Sequence, residues 1–328
     1  MSGDDDDAAA AVDVEKLLHC ASCGRAEIDD AKLTECNSCD LVRYCSDECE
    51  ANHKSQHEQE CMKRAAVLRD EVLFKQPEST HLGDCPICMI PLPLDDEKYI
   101  MRPCCCKFIC QGCMYQNIDR EMKERRRLPN CPFCRQPLPS MDNGEEYCQE
   151  EFTKQLMKRL NADDPEALCR IGSDHYVKGD YSGAFELYTK ATELGHLDAH
   201  YKLAIMYFEG NGVEKDSGKE THHLEEAAIG GHPTARHELG SHEIEYGDPE
   251  RGVKHWIIAA NQGHDESMKC LVRLFKRGEC LMRLFKSSGG LSFFSKEDFA
   301  AALRGYQAAI EATKSSQRKE ADAFYGTH

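Results

Sequence analysis

The 328-residue sequence contains no apolar run approaching the roughly 20 residues that a membrane span needs, so no transmembrane helix is expected. Its first residues, MSGDDDDAAAAV, have neither a basic stretch nor an apolar core. The expectation is therefore that no secretory leader precedes the fold and that the protein works in a reducing compartment, cytoplasmic or nuclear. Positive charge is scarce: 41 Lys and Arg against 58 Asp and Glu leave a net charge of -17. A general nucleic-acid binder has to neutralise phosphates, and this balance argues against one. The one basic cluster, Lys123 to Arg127 (KERRR), reads as a solvated helix end, and the acidic run Asp4 to Asp7 reads as a disordered tail.

Cysteine, by contrast, is abundant and patterned. Sixteen of the 20 cysteines lie between Cys20 and Cys134, nearly all in close pairs. The first series runs Cys20/Cys23, Cys36/Cys39, Cys45/Cys49 and His57/Cys61; the second runs Cys85/Cys88, Cys104 to Cys106, Cys110/Cys113 and Cys131/Cys134. A C-x2-C pair brings two thiolates to one tetrahedral Zn2+ from a tight turn, with Zn–S of about 2.3 Å. In a reducing compartment such pairs hold metal rather than each other. Two series of eight ligands predict two modules and about four zinc ions.

Cys49, His53, His57 and Cys61 recur every four residues, along one face of a helix. With Tyr44 and Cys45 they resemble the end of the MYND zinc finger pattern, Y-C-x3-C-x7-H-x3-C. That resemblance implies interleaved sites, with Cys20, Cys23, Cys45 and Cys49 on one ion and Cys36, Cys39, His57 and Cys61 on the other. His53 is the alternative to His57. MYND fingers bind short, often proline-containing peptides; a finger that only stabilises its own fold is the competing reading. No ligand position looks open, so the zincs are expected to be structural.

The second series, CPIC (85–88), RPCCCKFICQGC (102–113) and CPFCR (131–135), resembles a RING finger of the type in which cysteine replaces the usual histidine. The resemblance implies Cys85, Cys88, Cys110 and Cys113 on one ion, and two of Cys104, Cys105 and Cys106 with Cys131 and Cys134 on the other. Cys104 with Cys105 is favoured over Cys104 with Cys106. RING domains dock a ubiquitin-charged conjugating enzyme and hold its thioester in a reactive pose. Ile87, Pro132 and Arg135 occupy the positions through which active RINGs contact that enzyme and ubiquitin. Taken singly, they read as local packing and a surface charge.

Gly-His recurs at Gly195/His196, Gly231/His232 and Gly263/His264, 36 and 32 residues apart. Ala167, Ala199 and Ala235 come into register, each four residues before Ile171, Leu203 or Leu239, and Gly172, Ala204 or Gly240 follows. A period in this range means a helical solenoid. The units resemble Sel-one-like repeats, relatives of the tetratricopeptide repeat, and EGNGVEKD (209–216) carries that family's loop. Tyr207 matches its first-helix aromatic, but His175 and Glu243 stand in the equivalent places, which should weaken those helices. The recurring histidines read as turn residues rather than metal ligands. Cys148, Cys169, Cys270 and Cys280 fall outside the two paired series and read as buried small hydrophobes or idle thiols. CLVRLFKRGE (270–279) is nearly repeated at 280–289, which should lengthen a helix or bulge out as a loop.

The expected architecture is mainly α: a C-terminal α/α solenoid preceded by two small cross-braced zinc modules. The divisions are an acidic tail (1–16), a MYND-type finger (17–64), a helical linker (65–84), a RING-type finger (85–139), a linker and helix (140–162), repeats (163–266) that should fold without zinc, and capping helices (267–328). The leading functional expectation is a RING-type ubiquitin-protein ligase whose finger and repeats select substrate. The alternative is a non-catalytic zinc-binding adaptor. Partners expected are a ubiquitin-conjugating enzyme and protein or peptide ligands of the finger and repeats.

Overall fold

A computed structural model describes residues 19–26, 32–124, 130–137, 145–285 and 294–325. The acidic tail, Arg125 to Arg127 of the basic cluster, the 138–144 linker and the duplication beyond Phe285 lie outside those residues. The chain forms two compact units that divide between Lys75 and Gln76.

In the first unit, β1 (Thr34–Glu35) and β2 (Arg43–Tyr44) pair antiparallel and lead into α1 (Asp47–Leu73). Ser46 caps this helix by accepting from Cys49 N, and Asp47, Glu48 and Glu50 place negative charge at its positive end. The sequence suggests a separate linker helix from residue 65. Instead, one 27-residue helix starts inside the finger and runs through that segment. Nothing in its composition breaks the run before Leu73.

The second unit contains everything from Gln76 onward. The hairpin β3 (Tyr99–Arg102) and β4 (Lys107–Cys110) precedes α2 (Gln111–Lys123). Then come α3 (Glu145–Leu160) and three antiparallel pairs: α4 (Pro165–Val177) with α5 (Tyr181–Glu193), α6 (Leu197–Glu209) with α7 (Ser217–Ile229), and α8 (Pro233–Tyr246) with α9 (Pro249–Asn261). The chain continues with α10 (Asp265–Phe285), α11 (Lys296–Ala312) and α12 (Ser316–Tyr325). The duplication therefore lengthens a helix, since α10 passes through its join.

Small residues set the spacing within the pairs. A Cβ on Gly172 would lie 2.8 Å from the Tyr188 ring, and one on Gly240 would lie 2.6 Å from the Trp256 ring. Ala167, Ala199 and Ala235 are fully buried, as are Ala191, Ala227 and Ala259. At each inter-repeat turn the glycine is left-handed, with φ of 79° at Gly195, 90° at Gly231 and 88° at Gly263. The following histidine caps the next helix through its ring: Nδ1 of His196 accepts from Ala199 N, that of His232 from Ala235 N and that of His264 from Ser267 N. With Nδ1 accepting, the proton sits on Nε2. It faces Glu166 at 3.0 Å from His196 and Asp198 at 3.3 Å from His232, one repeat earlier in each case. The recurring histidines thus hold turns together, His196 and His232 each with a carboxylate from the preceding repeat. His175 and Glu243 do not leave their helices loose: His175 bonds Asp180, the cap of α5, and Glu243 bonds Arg251 and Asp248 N at the start of α9.

The cysteine module and the repeats are built into one unit rather than standing apart. Cys106 packs with Leu156 and Ala167, joined by Met101, Phe152, Leu160 and Ile171. Residues 76–81 run over the inter-repeat turns. Gln76 Nε2 donates to Ile258 O, Gln262 Nε2 donates to Ser79 O, and His81 N donates to Gly231 O at 2.9 Å. The His81 ring stacks on His232 at 4.1 Å.

Candidate metal centres and docking groove

Four groups of donors assemble in the described residues, each with its ligand atoms within 4.8 Å of one another. They are Cys20, Cys23, Cys45 and Cys49; Cys36, Cys39, His57 and Cys61; Cys85, Cys88, Cys110 and Cys113; and Cys104, Cys105, Cys131 and Cys134. Local backbone geometry explains three of the pairs. In one tight turn, Cys20 N donates to Arg25 O and Gly24 N to Cys20 O. The same two bonds recur from Cys85 to Ile90 and Met89 back to Cys85, and from Cys131 to Gln136 and Arg135 back to Cys131. The residue after the second cysteine is left-handed each time: Gly24, Met89 and Arg135.

The spacing of the donors fits a metal ion and not a disulfide. Sulfur–sulfur distances are 3.6 Å for Cys23–Cys45, 3.7 Å for Cys36–Cys61, 3.8 Å for Cys88–Cys110, 4.0 Å for Cys105–Cys131 and 3.3 Å for Cys104–Cys134. Tetrahedral zinc with Zn–S of about 2.3 Å places sulfurs roughly 3.8 Å apart, whereas a disulfide needs about 2.05 Å. Crowding of the thiols shows in their proton affinities. Hydrogen bonds from Cys110 and Cys113 hold Cys85 far below the ordinary thiol range, while the same crowding pushes Cys113 far above it. Cys105 is drawn down to about 5 with Cys104 as its main partner, and Cys104 is pushed up. Such sets cannot all ionise without a cation among them. Burial lowers the pKa of His57, which favours the neutral imidazole that ligates metal.

Two ambiguities of the sequence are resolved in position. His57, not His53, faces Cys39, with Nε2 at 3.1 Å from Sγ. His53 stands behind it, stacked on the His57 ring at 5.7 Å and bonded to the Tyr44 hydroxyl at 3.1 Å. Cys105, not Cys106, joins Cys104. Cys106 has φ of 50°, which turns it out of the group and into the apolar cluster against α3 and α4, and burial pushes its thiol up to about 12.

The candidate docking residues are only partly gathered. Ile87, 41% exposed, and Pro132 line one cavity of about 640 Å³ together with Tyr115, Gln116, Gln317 and Glu320. Arg135 lies exposed on the adjoining turn and is not part of that lining. The contribution of Gln317 and Glu320 from the far end of the chain carried no signal in the sequence.

Residues 20–61 match the family model described as MYND finger, and residues 165–196, 197–232 and 233–264 match the Sel1 repeat. The second cysteine module lies outside these ranges. The chain is 33% identical over 107 residues to Protein SHC1 of Saccharomyces cerevisiae, which is 31% of this chain and 20% of that protein. It is similar to the structure of c5321, a protective antigen of uropathogenic Escherichia coli displaying an SLR fold, at 25% identity and a TM-score of 0.37, covering 49% of this chain and 33% of the other. It is also similar to a Sel1 repeat protein from Oxalobacter formigenes at 25% identity and a TM-score of 0.38, covering 49% and 64%. The chain thus spans a fifth of the yeast protein's length and less than two thirds of each solved chain. It carries a MYND finger and Sel1 repeats, which are protein-interaction modules, and about four groups suited to zinc. Among the described residues no helix is long and apolar enough to cross a membrane.

Proposed function

We propose that this chain is a zinc-stabilised interaction adaptor whose MYND finger and repeats bind protein or peptide partners. The observation that carries this reading is that each metal group has four protein donors. Tetrahedral zinc would then have no position left for water or substrate, so its part is to hold shape. The chain's own residues do the binding. A titration of the zinc-loaded full chain with proline-containing peptides tests the finger's role. Binding should be lost in Cys39→Ser, which removes a finger ligand, and kept in Ile87→Ala. Equal binding by the wild type and Cys39→Ser would refute it.

A second reading is favoured by Ile87 and Pro132 sharing one groove. On this reading the second module is a RING-type finger, the groove docks a ubiquitin-conjugating enzyme, and catalysis is positional. Arg135, with a fixed fork of donors, would bridge enzyme and ubiquitin. Ile87→Ala should then weaken docking by about 1.5–3 kcal/mol if the side chain is fully buried in the complex. Arg135→Ala should leave docking intact and slow discharge of ubiquitin to free lysine. Wild-type protein that stimulates discharge with no conjugating enzyme leaves the adaptor as the sole reading.

A further inference from the structure

The second cysteine module is held by a residue far outside its own cysteine series. Arg318, in the first turn of α12, is 8% exposed and points into the turn that carries Cys88. Its Nη1 donates to Pro91 O at 2.7 Å and to Thr313 O at 2.6 Å. Its Nη2 donates to Ile90 O at 3.1 Å and lies 3.7 Å from the Cys88 sulfur. One fork thus ties the end of α11, the start of α12 and the Cys88–Pro91 turn. The backbones meet as closely: a Cβ on Gly112 would lie 2.9 Å from Arg318 N. Beyond this point α12 also meets the module through an ion pair from Asp322 to Lys98 and through the Phe324 and Tyr325 rings against Tyr115.

The charge logic is direct. Zinc held by four thiolates carries net negative charge in a buried setting, where an unpaired charge is costly. A guanidinium offers charge and several donors in one plane, a combination lysine lacks. Outer-sphere donors of this kind orient ligand sulfurs and temper their basicity.

We propose that Arg318 is an outer-sphere partner of the Cys85, Cys88, Cys110 and Cys113 group, so that metal in this group and docking of α12 stabilise each other. Gln317 and Glu320 of α12 wall the groove that holds Ile87 and Pro132, so on this proposal filling the group also steadies that wall of the groove. The coupling is reciprocal by thermodynamic necessity: whatever the metal adds to helix docking, the docked helix adds to metal affinity. It rests on zinc occupying this group and on neither functional reading.

The test uses the full zinc-loaded chain. Excess chelator is added, zinc release is followed with a chromogenic indicator, and hydrogen exchange is read along α12. In Arg318→Met, which keeps the stem and removes the donors, one zinc should leave about 10–100-fold faster while the others keep their rates. Exchange in residues 316–325 should rise, with α4 to α9 unchanged as the folding control. Arg318→Lys should fall between the two. In the reverse arm, Cys113→Ser should expose α12 although it alters no residue of that helix. Unchanged release in Arg318→Met, a uniform acceleration of all the zincs, or an α12 equally protected in Cys113→Ser would each overturn the proposal. Failure of peptide binding or of ubiquitin discharge would leave it standing.

Discussion

Stripping zinc from the protein is expected to unfold residues 20–61 outright while leaving most of the helical signal from α4 to α9. Among the described residues, the finger's buried core beyond its metal donors consists of Leu33 and Tyr44, too little apolar surface to fold a module of this size. Its fold energy is therefore metal-binding energy, about 10–16 kcal/mol per structural site in zinc-finger peptides. The bidentate Arg64–Asp40 bond, at 2.6 Å for both contacts, ties α1 to the loop beside Cys39, but it is partly exposed and cannot replace the metal. The repeats stand differently. Their pairs close over Leu168, Tyr188, Leu203 and Met206 at one end and over Val253, Trp256 and Leu271 at the other, with no metal donor in either cluster's core except the unpaired Cys169. Loss of zinc should reach α3 and α12, which pack on the second module, and stop there. Hydrogen exchange with and without chelator reads this segment by segment. Protection that persists from Arg43 to Cys61 in metal-free protein would show that the finger has a core of its own.

Replacing Gly231 with alanine is expected to cost far more than the same change at Gly195. Both glycines are left-handed, a conformation costing other residues about 1–2 kcal/mol. Around Gly195 a Cβ meets nothing within 4 Å, so conformation is the whole cost there. At Gly231 the Cβ would sit 2.5 Å from the Ser79 carbonyl oxygen and 3.4 Å from Pro77. That oxygen is backbone, so the 76–81 segment must move, and the His81 hydrogen bond and ring stack move with it. Overpacking of this kind adds about 1–3 kcal/mol. The expected totals are about 2–5 kcal/mol for Gly231→Ala and about 1–2 kcal/mol for Gly195→Ala, read as shifts in denaturant midpoint at constant slope. Equal losses would mean that the segment does not press on the turn.

What the sequence made legible follows from which interactions are local. A knuckle turn depends on two cysteines and the residue after them, so three of the metal pairs could be read from spacing. The inter-repeat turns depend on Gly-His, followed in two of the three by a buried alanine three residues on, and these also stood out. His57 against His53 could be narrowed only by family pattern, since both lie on the same helix face; the Tyr44 hydroxyl and the Cys39 sulfur separate them in space. Cys106 was ambiguous for a related reason: what removes it from the metal group is a pocket made by Leu156 and Ala167, some fifty residues later. The 76–81 segment across the turns and Arg318 behind Cys88 were invisible because their partners lie about 150 to 230 residues away, with no period linking them. The carboxylates that meet His196 and His232 had a faint signal, since Glu166 and Asp198 occupy equivalent places in successive repeats. Thr234 in the third repeat breaks it.

The account rests on four zinc ions organising two modules, and native mass spectrometry of the full chain measures this directly. The expected mass excess is four zinc ions, consistent with the four donor groups. With zinc just sufficient to fill the wild type, Cys105→Ser and His57→Ala should each lower the count by one, while Cys106→Ser and His53→Ala should leave it at four. A chain that holds only two zinc ions, or one that loses zinc with Cys106→Ser and not with Cys105→Ser, would contradict the account.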